Sequence, residues 1–66
     1  MAVKNRLREI RMKEFMMEPT EFADMLQVNP KSYYQWESGA SRPNLEKSLQ
    51  VAKKLNRNVN DIWYLE

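Results

Sequence analysis

Apolar residues recur three and four positions apart along most of the chain, and no stretch alternates long enough to read as a strand. Leu7 and Ile10, flanked by Val3 and Glu14, space out a first helix of about Lys4 to Glu14. Phe15, Met16 and Met17 follow as an apolar run, which reads as core filling because methionine packs irregular gaps. Glu18-Pro19 then breaks the pattern. Proline disfavours helical backbone in the residue before it but suits the first helical position, so a second helix begins at Pro19. Its apolar stripe is Phe22, Ala23, Met25 and Leu26. The same device returns at Asn29-Pro30, where asparagine caps and proline opens a third helix reaching about Ser38. Gly39, the single glycine, stands just past its end, where a left-handed residue closes a helix at least cost. Ala40 to Pro43 form a loop. Asn44 caps a fourth helix to about Leu55, with Leu45, Leu49, Ala52 and Leu55 on one face. After a polar break, Asn60 caps a last short helix from Asp61 to about Leu65. The pattern predicts one compact all-α, five-helix domain over residues 1–66, its core at about 4–65.

Only Gln27 and Val28 separate the second helix from the third. Two short helices joined so tightly must cross steeply, which is the geometry of a helix-turn-helix. Within the third helix Tyr33 and Trp36 are three apart and share a face. Both are too large to stand in water, so that face packs on the second helix. Lys31, Ser32, Tyr34 and Gln35 then point outward. Such a face is either a solvated surface or a reader of base edges: lysine donates to guanine, glutamine pairs with adenine, and serine serves either.

Composition narrows the choice by exclusion. A chain of 66 residues, 42% hydrophobic, has apolar material for one small core and none to spare for a deep substrate cavity. There is no cysteine for a disulfide or thiolate metal site, and no histidine for acid–base work near neutral pH. One glycine excludes glycine-rich phosphate loops. Glu18, Glu21 and Asp24 cluster, but they sit around a helix N-terminus, where the dipole stabilises acids, and no base, nucleophile or ligand set accompanies them. The expectation is no enzyme, no cofactor, no metal and no evident small-molecule ligand. No apolar run approaches the roughly 20 residues that cross a bilayer, and no signal peptide precedes the polar start, so the chain reads as cytoplasmic. The net charge of +2 does not by itself announce a nucleic-acid partner. Its distribution is uneven: five basic and two acidic groups fill residues 1–17, three acids and no base residues 18–28, and four bases and one acid residues 44–57.

The stretch Glu21-Phe22-Ala23-Asp24-Met25-Leu26-Gln27-Val28-Asn29 is followed by Tyr33, Trp36-Glu37-Ser38-Gly39, Pro43-Asn44-Leu45-Glu46 and Ala52-Lys53-Lys54-Leu55. In that order and spacing these fragments resemble the phage-repressor helix-turn-helix family (Cro and lambda-repressor-like), over about residues 5 to 65. The resemblance implies a five-helix DNA-binding fold whose third helix enters the major groove, in a transcriptional regulator of repressor type. It places Pro30, Lys31 and Gln35 at base-reading positions, and Ser32 and Tyr34 on the same helix are counted with them as base-reading. It implies phosphate contacts from Ser41 and Arg42 in the following loop, and Asn29 and Ser32 suit phosphate or peripheral base contacts. It also implies an ion pair between Arg11 and Glu37 linking the first and third helices.

Three positions depart from the family pattern. Pro19 stands where glutamine usually holds a phosphate, leaving Thr20 or a neighbouring amide to anchor the second helix. Gln27 stands where the turn usually has glycine. The segment Phe15-Met16-Met17 is one residue longer than the common spacing. One copy reads too few base pairs for genomic selectivity, so a homodimer on a palindromic operator of double-stranded DNA is expected. The Ile62-Trp63-Tyr64-Leu65 cluster either contributes to the dimer contact or closes the core. The alternative function is a helix-turn-helix used as a protein-interaction module.

Overall fold

The structure, a computed structural model, describes residues 2–66. Strand β1, Val3–Asn5, leads into α1, Leu7–Ile10, which continues without a break into a wider π-helical turn over Arg11–Phe15. Helices α2 (Pro19–Met25), α3 (Pro30–Ser38) and α4 (Leu45–Lys54) follow. A single 3-10 turn, Val59–Asp61, precedes strand β2, Trp63–Leu65. The strands pair antiparallel, with Val3 opposite Leu65, Lys4 opposite Tyr64 and Asn5 opposite Trp63.

The architecture is therefore mostly helical, with four α-helices and a small sheet among the described residues; the five-helix expectation is corrected at both ends. The first helix starts at Leu7, not Lys4, because Asn5 ends the strand and begins the helix. Its Oδ1 accepts the Leu7 N–H at 3.1 Å, while its Nδ2 donates to the Trp36 carbonyl at 2.8 Å. The expected fifth helix is the 3-10 turn and β2. Asn58 rather than Asn60 precedes it, its N–H donating to Asp61 Oδ2 at 3.3 Å. Each strand is three residues long, too short for period-two alternation to show, and their pairing joins opposite ends of the chain.

Two apolar assignments are also corrected. Met16 is no core residue: it adopts a left-handed conformation (φ 50°) and is 84% exposed, while Phe15 and Met17 on either side pack on the core. The extra residue is absorbed as the π turn, which ejects one side chain and keeps the rest in phase. On α4, Leu45 and Leu49 are 71% and 51% exposed, and the buried face is Ser48, Val51, Ala52 and Leu55. Both sets are helical stripes sharing Ala52 and Leu55, so periodicity alone leaves the helix rotation open. The buried Ser48 hydroxyl is satisfied by donating to the Asn44 carbonyl at 2.8 Å.

All the elements surround one core, in which Leu7, Phe22, Leu26, Tyr33, Val51 and Ile62 are fully buried. The Phe22 ring lies 5.3 Å from Phe15 and meets Tyr33 edge-on at 5.6 Å. At the rim of this core Arg11 grips Glu37 with two donors, Nε to Oε2 at 3.2 Å and Nη2 to Oε1 at 3.3 Å. Its Nη1 donates to the Met17 carbonyl at 2.9 Å, and the Tyr33 hydroxyl donates to Glu37 Oε2 at 2.5 Å. The hydrogen bond to Glu37 holds Arg11 more firmly charged than usual, and burial, reinforced by Glu37, pushes the Tyr33 hydroxyl up.

Glu37→Ala leaves the buried Arg11 without its partner, which costs about 3–5 kcal/mol. In a thermal melt followed by circular dichroism, the midpoint is expected to fall by about 10 °C or more. Because the folded-state pKa of Tyr33 lies above its ordinary value, the stability it carries is present below about pH 10 and lost as pH climbs toward the folded value. An ultraviolet titration is expected to show Tyr33 ionising only as the protein unfolds.

Candidate nucleic-acid interface

Helix α2 ends at Leu26, and the chain reverses through Gln27, which holds φ 59°. The turn is closed by Gln27 N–H to the Asp24 carbonyl at 3.0 Å and Val28 N–H to the Ala23 carbonyl at 2.9 Å. This left-handed residue costs roughly 1 kcal/mol where glycine would cost nothing. Burial of Leu26 and Val28 on either side holds it there. Extended backbone at Asn29 then sets up the cap, its Oδ1 accepting the Lys31 N–H at 2.8 Å. Pro30 opens α3 as the spacing predicts.

Tyr33 and Trp36 bury the inner face of α3. Pro30, Lys31, Tyr34 and Gln35 are exposed, and at 100° per residue they occupy one continuous outer arc. Ser32 lies outside that arc, half-buried on the flank beside Trp36. Gly39 (φ 87°) turns the chain away, donating its N–H to the Trp36 carbonyl at 3.1 Å. Ser41 returns the loop to the helix: its N–H donates to the Gln35 carbonyl at 3.2 Å and its hydroxyl to Gln35 Oε1 at 3.5 Å. The contact leaves the Gln35 amide N–H groups available. Arg42 is exposed beyond the end of α3 and has no carboxylate partner among the described residues. It shares a cavity of about 330 Å³ with Lys4, Asn5, Gly39 and Tyr64.

Thr20 is exposed on the first turn of α2, but acids dominate its surroundings. Glu21 Oε1 accepts the Glu18 N–H at 3.0 Å, so the helix start carries two carboxylates beside Thr20. Sequence reasoning missed Lys47, whose Nζ donates to the Gln27 carbonyl at 3.3 Å. This bond sets a cation beside the turn that leads into α3. Lys47, Lys53 and Lys54 line a shared groove with Gln27 and Gln50. The only hint in the sequence was the lysine content after residue 44; the rotation of α4 decides which lysine reaches the turn.

Residues 7–62 match the model of a family described as helix-turn-helix. No curated protein matches the chain. The matched span runs from the first residue of α1 to Ile62 and leaves both strands outside it.

A Cβ added at Gly39 meets no atom within 4 Å, so Gly39→Ala tests backbone strain alone. It is expected to cost about 1–2 kcal/mol in a denaturant titration without changing the helical circular-dichroism signal.

Proposed function

The chain belongs to the phage-repressor-like helix-turn-helix family, one of DNA-binding transcription regulators, and from that premise we propose that it reads the major groove with α3. The observation that carries this reading is the division of α3. Tyr33 and Trp36 fix its inner face in the core, while Pro30, Lys31, Tyr34 and Gln35 form one outward arc free of acids. Lys31 and Gln35 supply the donors and the acceptor that specify guanine and adenine. Asn29, Ser41 and Arg42 flank the arc and serve the phosphates, which position the helix without reading sequence. Ser32 serves the rim of the interface. Thr20, next to Glu18 and Glu21, contributes little, and Lys47 beside the turn supplies the cation that the start of α2 lacks.

In this reading the protein is a repressor that binds a palindromic operator as a homodimer, with half-sites about one helical turn apart, in the cytoplasm where the nucleoid lies. A second reading, a protein-interaction module, is favoured by one observation: the carboxylates at α2 stand where a phosphate clamp is expected.

Selection of duplexes from a random pool, followed by anisotropy titrations against salt, separates the two. A steep loss of affinity with salt is the expected result, and absence of duplex binding in dilute salt favours the module. Lys31→Ala is expected to cost about 1–3 kcal/mol on the selected site and to relax preference at one base pair. Arg42→Ala is expected to weaken all duplexes alike and reduce the salt slope by about one.

A further inference from the structure

Backbone hydrogen bonds mark both ends of the ladder between β1 and β2. Arg6 N–H donates to the Ile62 carbonyl at 2.8 Å and Glu66 N–H to the Ala2 carbonyl at 3.0 Å. Hydrogen-bonded pairs alternate along antiparallel strands, so in the observed register Lys4 and Tyr64 form the pair between them. The N–H and C=O groups of Val3 and Asn5 consequently point to the outer edge of β1, where no hydrogen bond reaches them among the described residues. Unpaired backbone of this kind is a template for a further strand. The same two residues border the cavity of about 330 Å³ at the end of α3, with Ser38, Gly39 and Arg42 across from them.

The charges around this cavity select what can enter it. Lys4 and Arg42 both line it, and neither has a carboxylate partner among the described residues. Glu37, the one acid in the wall, is already engaged, its two oxygens accepting from Arg11 and from the Tyr33 hydroxyl. Lysine in an edge strand ordinarily discourages pairing with another strand. Beside Arg42 it favours instead a strand that brings a carboxylate. Size narrows the choice further: an α-helix with its side chains is about 10 Å across, whereas an added strand needs only about 4.8 Å. We propose that the outer edge of β1 binds a short extended peptide with a free C-terminal carboxylate. The peptide adds to β1 as a third strand and sets its carboxylate against Lys4 and Arg42. A two-stranded sheet is weak by itself, and the third strand supplies what independent stability requires.

The site adjoins the interface on α3. Arg42 is the residue to which the proposed function gives a phosphate, so a carboxylate held on its guanidinium competes with the duplex. Peptide and duplex then weaken each other by the same factor. This consequence rests on the DNA reading, but binding of the peptide does not. The edge residues Val3 and Asn5 precede the span that matches the family model, so the edge lies outside what that match describes.

Titration of the isotope-labelled chain with the peptide acetyl-Val-Thr-Val, followed by nuclear magnetic resonance, tests the site. Saturable shifts are expected at the amides of Val3, Asn5, Ser38, Gly39 and Arg42. The same peptide ending in a carboxamide is expected to bind about tenfold more weakly or worse, the loss of one charge-assisted hydrogen bond. Arg42→Ala is expected to narrow that preference, and an undiminished preference in this variant overturns the assignment of the carboxylate. The Val3 N–H points to the open edge, so Val3→Pro removes a donor to the peptide and leaves the internal ladder intact. It is expected to weaken binding with an unchanged melt. A second measurement does not depend on that variant folding: the peptide methylated at its amide nitrogens cannot add as a strand and is expected not to bind the unaltered chain. Equal binding of the methylated peptide, shifts centred on Trp63 and Leu65 at the opposite edge, or no saturable shift at all overturns the proposal. Duplex binding is read separately. A chain that binds the peptide but no duplex loses the DNA reading and keeps this site, and one that binds duplex without saturable peptide shifts loses this site alone.

Discussion

The position of α3 depends on one partly buried ion pair at the rim of the core. Arg11 and Glu37 hold two hydrogen bonds across the gap between the π turn and α3, and Tyr33 closes the triangle with its hydroxyl on the same carboxylate. Charges partly withdrawn from water are held best when each is partnered, as both are here. The arrangement therefore tolerates few geometries. It fixes α3 in rotation, because Tyr33 and Glu37 are one turn apart on the helix and the carboxylate that takes the Tyr33 hydroxyl must also meet Arg11. The outward arc of Pro30, Lys31, Tyr34 and Gln35 is set by the same constraint that buries Tyr33. A small core of aliphatic and aromatic side chains would by itself allow the helix more rotational freedom.

The ends of the chain add a second constraint from the other side. Asn5 binds the Trp36 carbonyl near the end of α3 while its strand pairs with β2, so the sheet is tied to the end of α3.

Much of α3 and its outward arc was legible in the sequence because the signals are local. Asn29-Pro30 and Gly39 bracket α3 by capping chemistry, which acts within one turn of the helix. Tyr33 and Trp36 declare the inner face by spacing and bulk, and the resemblance to the family supplied the partner of Arg11. Met16, Lys47 and the leucines of α4 were not legible in the same way. Met16 follows from how an inserted residue is accommodated, and a π turn has no compositional mark. Leu45 and Leu49 fit one helical stripe and Ser48 and Val51 another, and the choice rests on what the core admits.

The sequence by itself determined where α2, α3 and α4 begin, which face of α3 turns outward, and that catalysis by histidine or cysteine is excluded. Those are consequences of short-range backbone chemistry and residue identity. The tertiary structure alone decided that the two ends of the chain are strands and not helices. A three-residue segment has no preference strong enough to declare itself, and the hydrogen bonds that make it a strand come from the opposite end of the chain.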